Sequence, residues 1–255
     1  MRAHIFGGGG AAGAQALAIY RNFIDEGNPL PDLLVGTSAG GLLSILIAHC
    51  GLDGAENELL SIKRRQDIFA DHPMFGLGKL GLWNSKPLQK ILERVMKHKA
   101  KIKYFTCAYD IKALKTQYFK ESDGAFYNAS TACIPILVEP NSCYVDGGLA
   151  EGTPLRLPID LGATDINIFQ CFASGSGNSA PIMPANKIAI LMNCYNGMAN
   201  EIGSRDMETC LLVNELAESK GKKHVDVKMH KPKKNYIDAL EFEKMAYAYK
   251  MTRVK

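Results

Sequence analysis

Short apolar runs alternate with glycine-rich turns and amphipathic stretches at the start of the chain. Residues 3–6 are apolar and lead into a run of glycines, and apolar positions then recur at helical spacing over residues 14–26. A second apolar run at 33–35 leads into another glycine-containing turn and a helix-like run at 42–49. This order of strand, glycine turn and helix, met twice, predicts the start of a parallel α/β sheet.

The remaining pattern continues the same mixture of helices and strands. Further helices are predicted at residues 55–68, 87–97, 127–132, 196–219 and 236–250, and further strands at 104–109, 116–119, 143–146 and 164–172. The apolar, glycine-rich segment 70–83 has no period, which predicts a loop on the core or a mobile apolar flap over a lipid site. No repeat or linker divides the chain, so we expect a single domain over residues 1–255.

Composition narrows the class of protein. The chain has 255 residues, of which 47% are hydrophobic, enough for one domain with a sizeable core. A net charge of +4 does not by itself indicate nucleic acid, and none is expected as a partner. The basic segment 220–234 predicts an exposed strand and loop, with contact to anionic lipid as the alternative.

Targeting signals and cysteine spacing bear on the cellular environment. The seven cysteines are scattered without a C-x-x-C pair, which favours reduced thiols in an intracellular protein over disulfides or a zinc site. The N-terminus lacks the apolar region of a secretory signal, and no apolar run is long enough to span a membrane. We therefore expect an intracellular protein whose contact with a membrane, if it has one, is peripheral.

The second glycine turn carries the first candidate for chemistry. Gly36-Thr37-Ser38-Ala39-Gly40 reads Gly-x-Ser-x-Gly between a predicted strand and a predicted helix. This is the context of a nucleophile elbow, in which a sharp turn presents the serine at its apex. The helix that follows offers unpaired amides and a positive dipole end, which favour a developing negative charge.

The first glycine turn has two interpretations. Gly8-x-Gly10-x-x-Gly13 after a strand matches the dinucleotide-binding fingerprint, but that site also needs an acidic residue at the end of the second strand. Here the second strand ends in the elbow. The alternative is an oxyanion hole, because consecutive glycines before a helix expose several amides.

A serine nucleophile needs a base, and two candidates arise. Ser38, Asp146 and either His224 or His230 follow the chain order of an α/β-hydrolase triad. That fold, however, places several strands before its elbow, and this chain has room for only one. The stronger candidate is Asp146 alone, because it lies at a predicted strand end and Gly147 and Gly148 follow it. A carboxylate can take the proton directly when the geometry is good and water is excluded.

In their order and spacing, the glycine loop, the Gly-x-Ser-x-Gly elbow and Asp146-Gly147-Gly148 resemble the patatin-like phospholipase family over roughly residues 3–172. The β pair around residues 106–119 and the sequence Ala129-Ser130-Thr131-Ala132 agree with this resemblance. The chain departs from the family pattern at Ala12, where a basic residue is usual, and at Gly152, near which an asparagine is usual.

The resemblance implies a three-layer α/β/α fold with a mainly parallel central sheet, and a lipid acyl hydrolase or esterase of the phospholipase A type. It implies a catalytic dyad of Ser38 and Asp146, an oxyanion hole made by Gly8, Gly9 and Gly10, and no metal or organic cofactor. The supporting motif glycines are Gly13, Gly36, Gly40, Gly147 and Gly148. The expected partner is a phospholipid or another acyl ester. A non-catalytic lipid-binding protein, a nucleotide-binding protein, and thioester or acyl-transfer chemistry remain alternatives.

Overall fold

The computed structural model describes residues 1–72, 79–173 and 224–254, with six isolated positions between 197 and 214. The strands of these ranges are β1 (Arg2–Phe6), β2 (Leu33–Thr37), β3 (Ala70–Asp71), β4 (Gly81–Asn84), β5 (Lys103–Asp110), β6 (Lys115–Phe119), β7 (Ile136–Val138), β8 (Tyr144–Asp146), β9 (Asp165–Phe169) and β10 (Asp226–His230). The helices are α1 (Gly13–Asp25), α2 (Ala39–Ser61), α3 (Lys86–Val95), α4 (Gly124–Asn128), α5 (Arg156–Asp160) and α6 (Met245–Arg253).

The main sheet has the strand order β10-β9-β1-β2-β5-β6, with β8 also paired to β5. The five strands from β10 to β5 are mutually parallel. Both β6 and β8 run antiparallel to β5. The predicted parallel α/β sheet is therefore confirmed, with an antiparallel addition at one side.

Helices cover both faces of the main sheet, as the strand pattern requires. Along β1, Ala3 and Ile5 lie in one apolar cluster and Phe6 lies in the other. Helices α1 and α2 pack on the Phe6 face, and α6 packs against α1. Leu155 and Ile159 cover the opposite face. This arrangement confirms the three-layer α/β/α fold, and burial on both faces explains why the first strands read as apolar runs.

Helix α2 reverses direction partway along its length. Gly51 has φ 72° and ψ −178°, a backbone conformation that interrupts the helix and that glycine adopts without a steric cost. Leu42 before the kink and Leu59 after it line the same pocket, although a straight helix would separate them by about 25 Å, so the second half turns back from the first. It ends at Ser61. The predicted helix over residues 55–68 was wrong in its C-terminal part, where a 3-10 turn over Arg65–Asp67 leads into β3 instead.

A small second sheet occupies part of the segment that was expected to be a loop. Strand β4 pairs antiparallel with β3 and parallel with β7. The expectation of an irregular loop over residues 70–83 is thus wrong for both of its ends, because short strands of two to four residues carry too few positions to show a period. Residues 73–78, the centre of the suggested flap, lie outside the described residues.

The C-terminal region differs from its predicted outline. The strand expected within the basic segment 220–234 is β10, which among the described strands lies at one end of the main sheet. The last helix begins at Met245 rather than at residue 236, and an irregular stretch and a 3-10 turn precede it. The helix predicted over residues 196–219 lies outside the described residues apart from six isolated positions.

A buried histidine on β1 makes the stability of the fold depend on pH. His4 is fully buried, with Nδ1 3.3 Å from the hydroxyl of Tyr20. The rings of Phe23 and Phe169 approach it edge-on. Burial, together with the charge of Arg2, lowers the pKa of His4 from 6.5 to about 3.

We therefore expect the free energy of unfolding to fall as the pH is lowered from 6.5 towards 4. In that window the unfolded chain binds a proton at His4 whereas the folded chain does not, so the slope from this residue approaches about 1.4 kcal/mol per pH unit. Denaturant unfolding of His4→Phe at several pH values should show a shallower slope. His98→Gln, at an exposed position, is the control that should keep the slope of the original chain. An equal slope in His4→Phe would contradict this assignment.

Candidate functional site

Ser38 lies at a strained turn between β2 and α2. It has φ 56° and ψ −125° and precedes the first residue of α2. A positive φ is uncommon for a residue with a side chain and marks a conformation that the surrounding structure imposes. The sharp strand-to-helix turn expected here is thus present, with Ser38 at its apex, and the role of Ser38 as a nucleophile stays a prediction.

The two glycines of the elbow are required by close backbone contacts. A Cβ atom on Gly36 would lie 2.1 Å from the carbonyl oxygen of Gly40. A Cβ atom on Gly40 would lie 2.1 Å from the carbonyl oxygen of Phe6. The strand, the turn and the neighbouring strand are therefore packed backbone to backbone, which no other residue type permits.

We expect Gly36→Ala to destabilise the fold by about 3 kcal/mol or more, because both clashing groups are backbone and neither can rotate away. Gly27→Ala is the matched control. Gly27 has φ 85° and open space around its Cβ position, so its substitution should cost only about 1–2 kcal/mol. Denaturant unfolding of both variants measures the difference, and equal losses would contradict the packing argument.

Asp146 ends β8 in a fully buried position. Its backbone amide donates to the carbonyl oxygen of Cys133 at 2.9 Å, and its Oδ1 accepts a hydrogen bond from the amide of Gly148 at 2.8 Å. A Cβ atom on Gly147 would lie 2.6 Å from the carbonyl oxygen of Cys107 on β5. The two glycines after the aspartate therefore hold the carboxylate and let the chain pass directly against β5.

The register of β5 brings the ends of β2 and β8 together. Strand β2 pairs with residues 103–107 of β5, and β8 pairs with residues 108–110, while β6 pairs along the other edge. Since a strand has only two edges, β2 and β8 share one edge of β5 and point towards each other. Thr37 and Asp146 are consequently the partners of consecutive residues on β5, and Ser38 directly follows Thr37.

The glycine loop packs against the elbow. The Cβ position of Gly8 is 3.3 Å from Cβ of Ser38, and the Cβ position of Gly13 is 3.0 Å from Cβ of Ala39. Residues Gly13 and Ala39 are the first of α1 and α2. Two helix N-termini therefore meet beside Ser38, and their dipoles make the potential positive at this point.

The amides of the glycine loop differ in their hydrogen bonding. The amide of Gly8 donates to the carbonyl oxygen of Gly152 at 3.1 Å. Within the described ranges, the amides of Gly9 and Gly10 donate to no backbone carbonyl of another element. The role of all three glycines as oxyanion donors stays a prediction, and the bond to Gly152 adds the condition that Gly8 must exchange its acceptor to take part.

Side chains that sequence reasoning did not single out also hold the site. The amide of Ser38 donates to Oγ1 of Thr131 at 2.8 Å, and the hydroxyl of Thr37 donates to the carbonyl oxygen of Glu151 at 2.7 Å. Thr131 occupies the variable position of the Ala-Ser-x-Ala sequence. Because the motif does not specify a residue type there, the motif could not indicate a role for Thr131. The carbonyl groups of Glu151 and Gly152 could not be found from residue type at all, because any residue supplies a carbonyl.

We expect Thr131→Val to lower the free energy of unfolding by about 1–3 kcal/mol, since it leaves the buried amide of Ser38 without its acceptor. It should also reduce turnover, because the amide orients the serine. Thr131→Ser keeps the hydroxyl and should retain most of both quantities. Denaturant unfolding and ester hydrolysis of the two variants provide the comparison, and equal behaviour would contradict the role of the hydroxyl.

An apolar pocket opens beside Ser38. Apart from Ser38, every described residue that lines it is apolar, and none of these residues carries a charge. Leu42 and Leu59 both line it because α2 reverses at Gly51 and returns its second half to the elbow. Ile68 and Phe69 add a further wall. The chemical surroundings of Ser38 thus favour a hydrocarbon ligand.

The histidines do not complete a triad at Ser38. His224 precedes β10 at the end of the sheet opposite to Ser38. His230 is at the carboxyl end of β10, but β9 and β1 separate that strand from β2. Its Nε2 lies 3.0 Å from Oδ1 of Asn167, and its ring stacks on Phe169. Both histidines of the alternative triad therefore lie away from the elbow.

No helix within the described ranges has the length and apolar character that crossing a membrane requires. Among the same residues, no three His, Cys, Asp or Glu side chains are grouped in a way that could hold a metal ion.

Comparison with families of known proteins gives a match. The family model for patatin-like phospholipases matches residues 5–159, which is more than half of the chain. The matched region contains the glycine loop, the elbow with Ser38, and Asp146. No curated protein matches the chain.

Proposed function

Because the chain belongs to the patatin-like phospholipase family, we propose that it hydrolyses acyl esters of lipids through Ser38 and Asp146. The observation that carries this proposal is the meeting of β2 and β8 along one edge of β5, beneath the glycine loop. The hydroxyl of Ser38 and the carboxylate of Asp146 thus belong to neighbouring strand ends, and Ser38 also lines the apolar pocket.

In the first half of the reaction, Oγ of Ser38 attacks the ester carbonyl carbon and its proton passes to the carboxylate of Asp146. The carbonyl oxygen becomes an oxyanion, which accepts hydrogen bonds from the amides of Gly9 and Gly10, and from Gly8 once Gly152 releases it. Each such donor typically stabilises the transition state by about 3 kcal/mol. The positive ends of α1 and α2 favour the same charge.

In the second half, the tetrahedral intermediate collapses and expels the alcohol, which takes the proton from Asp146. Ser38 is left as an acyl ester. Asp146 then accepts a proton from a water molecule that attacks this ester. The second tetrahedral intermediate collapses by breaking the bond to Oγ of Ser38, Oγ takes the proton back from Asp146, and the fatty acid is released. Burial of Asp146 supports this role, because it keeps bulk water away from the proton transfer between Ser38 and the carboxylate.

The substrate test is to incubate the protein with a mixed lipid extract and to identify by mass spectrometry which species lose an acyl chain. Release of fatty acid by the original chain, and none by Ser38→Ala, is the expected result. Lipid binding without release by either form would favour a non-catalytic lipid-binding protein instead. Transfer of the acyl group to an added alcohol or thiol would extend the proposal to acyl-transfer chemistry.

A further inference from the structure

The part of the chain beyond the family match supplies one wall of the pocket beside Ser38. The matched region ends at residue 159, whereas four pocket residues lie near the C-terminus. They are Ala239, Leu240, Phe242 and Met245. Phe242 and Met245 are buried, while Leu240 is half-buried, which puts Leu240 at the rim of the pocket.

Hydrogen bonds fix this C-terminal wall onto the glycine loop and α1. The amide of Ala11 donates to the carbonyl oxygen of Ala239 at 2.8 Å. The amide of Tyr236 donates to Oε1 of Gln15 at 2.8 Å, and Nε2 of the same glutamine donates to the carbonyl oxygen of Cys171 at 2.8 Å. The wall is therefore hydrogen-bonded to the glycine loop and to α1, the helix that follows this loop.

The end of α6 is held as well. A guanidinium nitrogen of Arg253 lies 2.8 Å from the carboxylate of Asp25 at the end of α1, and the hydroxyl of Tyr249 donates to Glu56 on α2. Residues 235–253 are thus anchored at both ends. An anchored wall holds a constant pocket shape, which selection between ligands of different length requires.

The pocket has the chemistry of an acyl-chain site. The wall from residues 239–245 faces residues of α2 and the Ile68–Phe69 stretch, and Ser38 is the one polar side chain among the lining residues. Beyond Ser38, a lipid head group would find no charged or hydrogen-bonding side chain among the described lining residues. An unbranched hydrocarbon chain, extending from an ester carbon at Ser38, would be buried against apolar groups alone.

We propose that the C-terminal segment, residues 235–253, selects the length of the acyl chain, with Leu240 as the specificity-determining residue at the rim. This inference rests on the proposed function, because it takes the ester carbon to lie at Ser38. A larger side chain at position 240 narrows the rim and excludes long chains. A smaller one widens the rim and admits them more readily.

The experiment compares kcat/KM for p-nitrophenyl esters from acetyl to palmitoyl. In Leu240→Trp, kcat/KM for the longest esters should fall by about tenfold or more relative to the acetyl ester. Leu240→Ala should shift the profile towards longer chains. Leu161→Trp makes the same change at an exposed leucine outside the pocket lining, and it should leave the profile as in the original chain.

A binding assay separates failure of this inference from failure of the proposed function. In the Ser38→Ala background, Leu240→Trp should weaken the binding of a fluorescent long-chain fatty acid, whereas Leu161→Trp should not. If the original chain hydrolyses no ester, the proposed function fails. The binding assay alone then tests whether the pocket holds an acyl chain against Leu240. An unchanged ester profile, or unchanged fatty-acid binding, in a folded Leu240→Trp variant would overturn the inference.

Discussion

Replacing Ser38 with alanine is expected to lower kcat/KM for ester hydrolysis by about 10⁴-fold or more. The substitution removes the atom that forms the acyl-enzyme in the proposed mechanism. The fold should persist, because the backbone amide of residue 38 still donates to Thr131. Initial rates on a soluble ester, together with a denaturant unfolding curve, measure the two effects separately.

Ser44→Ala is the matched control for this prediction. Ser44 is a buried serine on α2, the helix that follows Ser38, and its hydroxyl donates to the carbonyl oxygen of Gly40 at 2.9 Å. Its loss removes one hydrogen bond, worth about 1 kcal/mol of stability, and should leave turnover within a few-fold of the original. Activity retained by Ser38→Ala would show that another residue is the nucleophile.

Asp146→Asn is expected to lower kcat/KM by about 10⁴-fold, because an amide cannot accept the proton of Ser38. Asparagine has nearly the same shape, and its carbonyl oxygen can still accept the hydrogen bond from Gly148. Stability should therefore change much less than activity. The same rate and unfolding measurements provide the test.

Asp110→Asn is the control for the carboxylate. Asp110 ends β5, where Oδ1 accepts hydrogen bonds from the amides of Lys112 and Ala113 in an exposed turn. The loss of this carboxylate should leave kcat/KM unchanged. If Asp146→Asn behaved like Asp110→Asn, the serine would need a base other than Asp146.

The local elements of the site could be predicted from sequence because their signals are local. The glycines around Ser38 lie between an apolar strand and a helix, and the structure has the turn there with a positive φ at the serine. The strand that ends in Asp146 could likewise be predicted from a short local pattern, a few strand-forming residues followed by two glycines. Residue type and spacing over a few positions determine such turns.

The contacts between distant segments could not be predicted from sequence. Nothing in the residue types around Asp146 shows that β8 shares an edge of β5 with β2, because that depends on the register of three strands. The bond from the amide of Gly8 to Gly152 depends on backbone groups, which every residue possesses. The pocket wall at Leu240 requires the C-terminal segment to fold back onto the first glycine loop.

The most direct test of the dyad is the rate and position of covalent labelling by a fluorophosphonate probe. With Ser38 as nucleophile and Asp146 as base, we expect peptide mapping to find the phosphonate adduct on Ser38. Asp146→Asn should slow its formation by about 10²-fold or more, because the base no longer activates the hydroxyl. An adduct on another residue, or labelling of Asp146→Asn at the original rate, would contradict the proposed dyad.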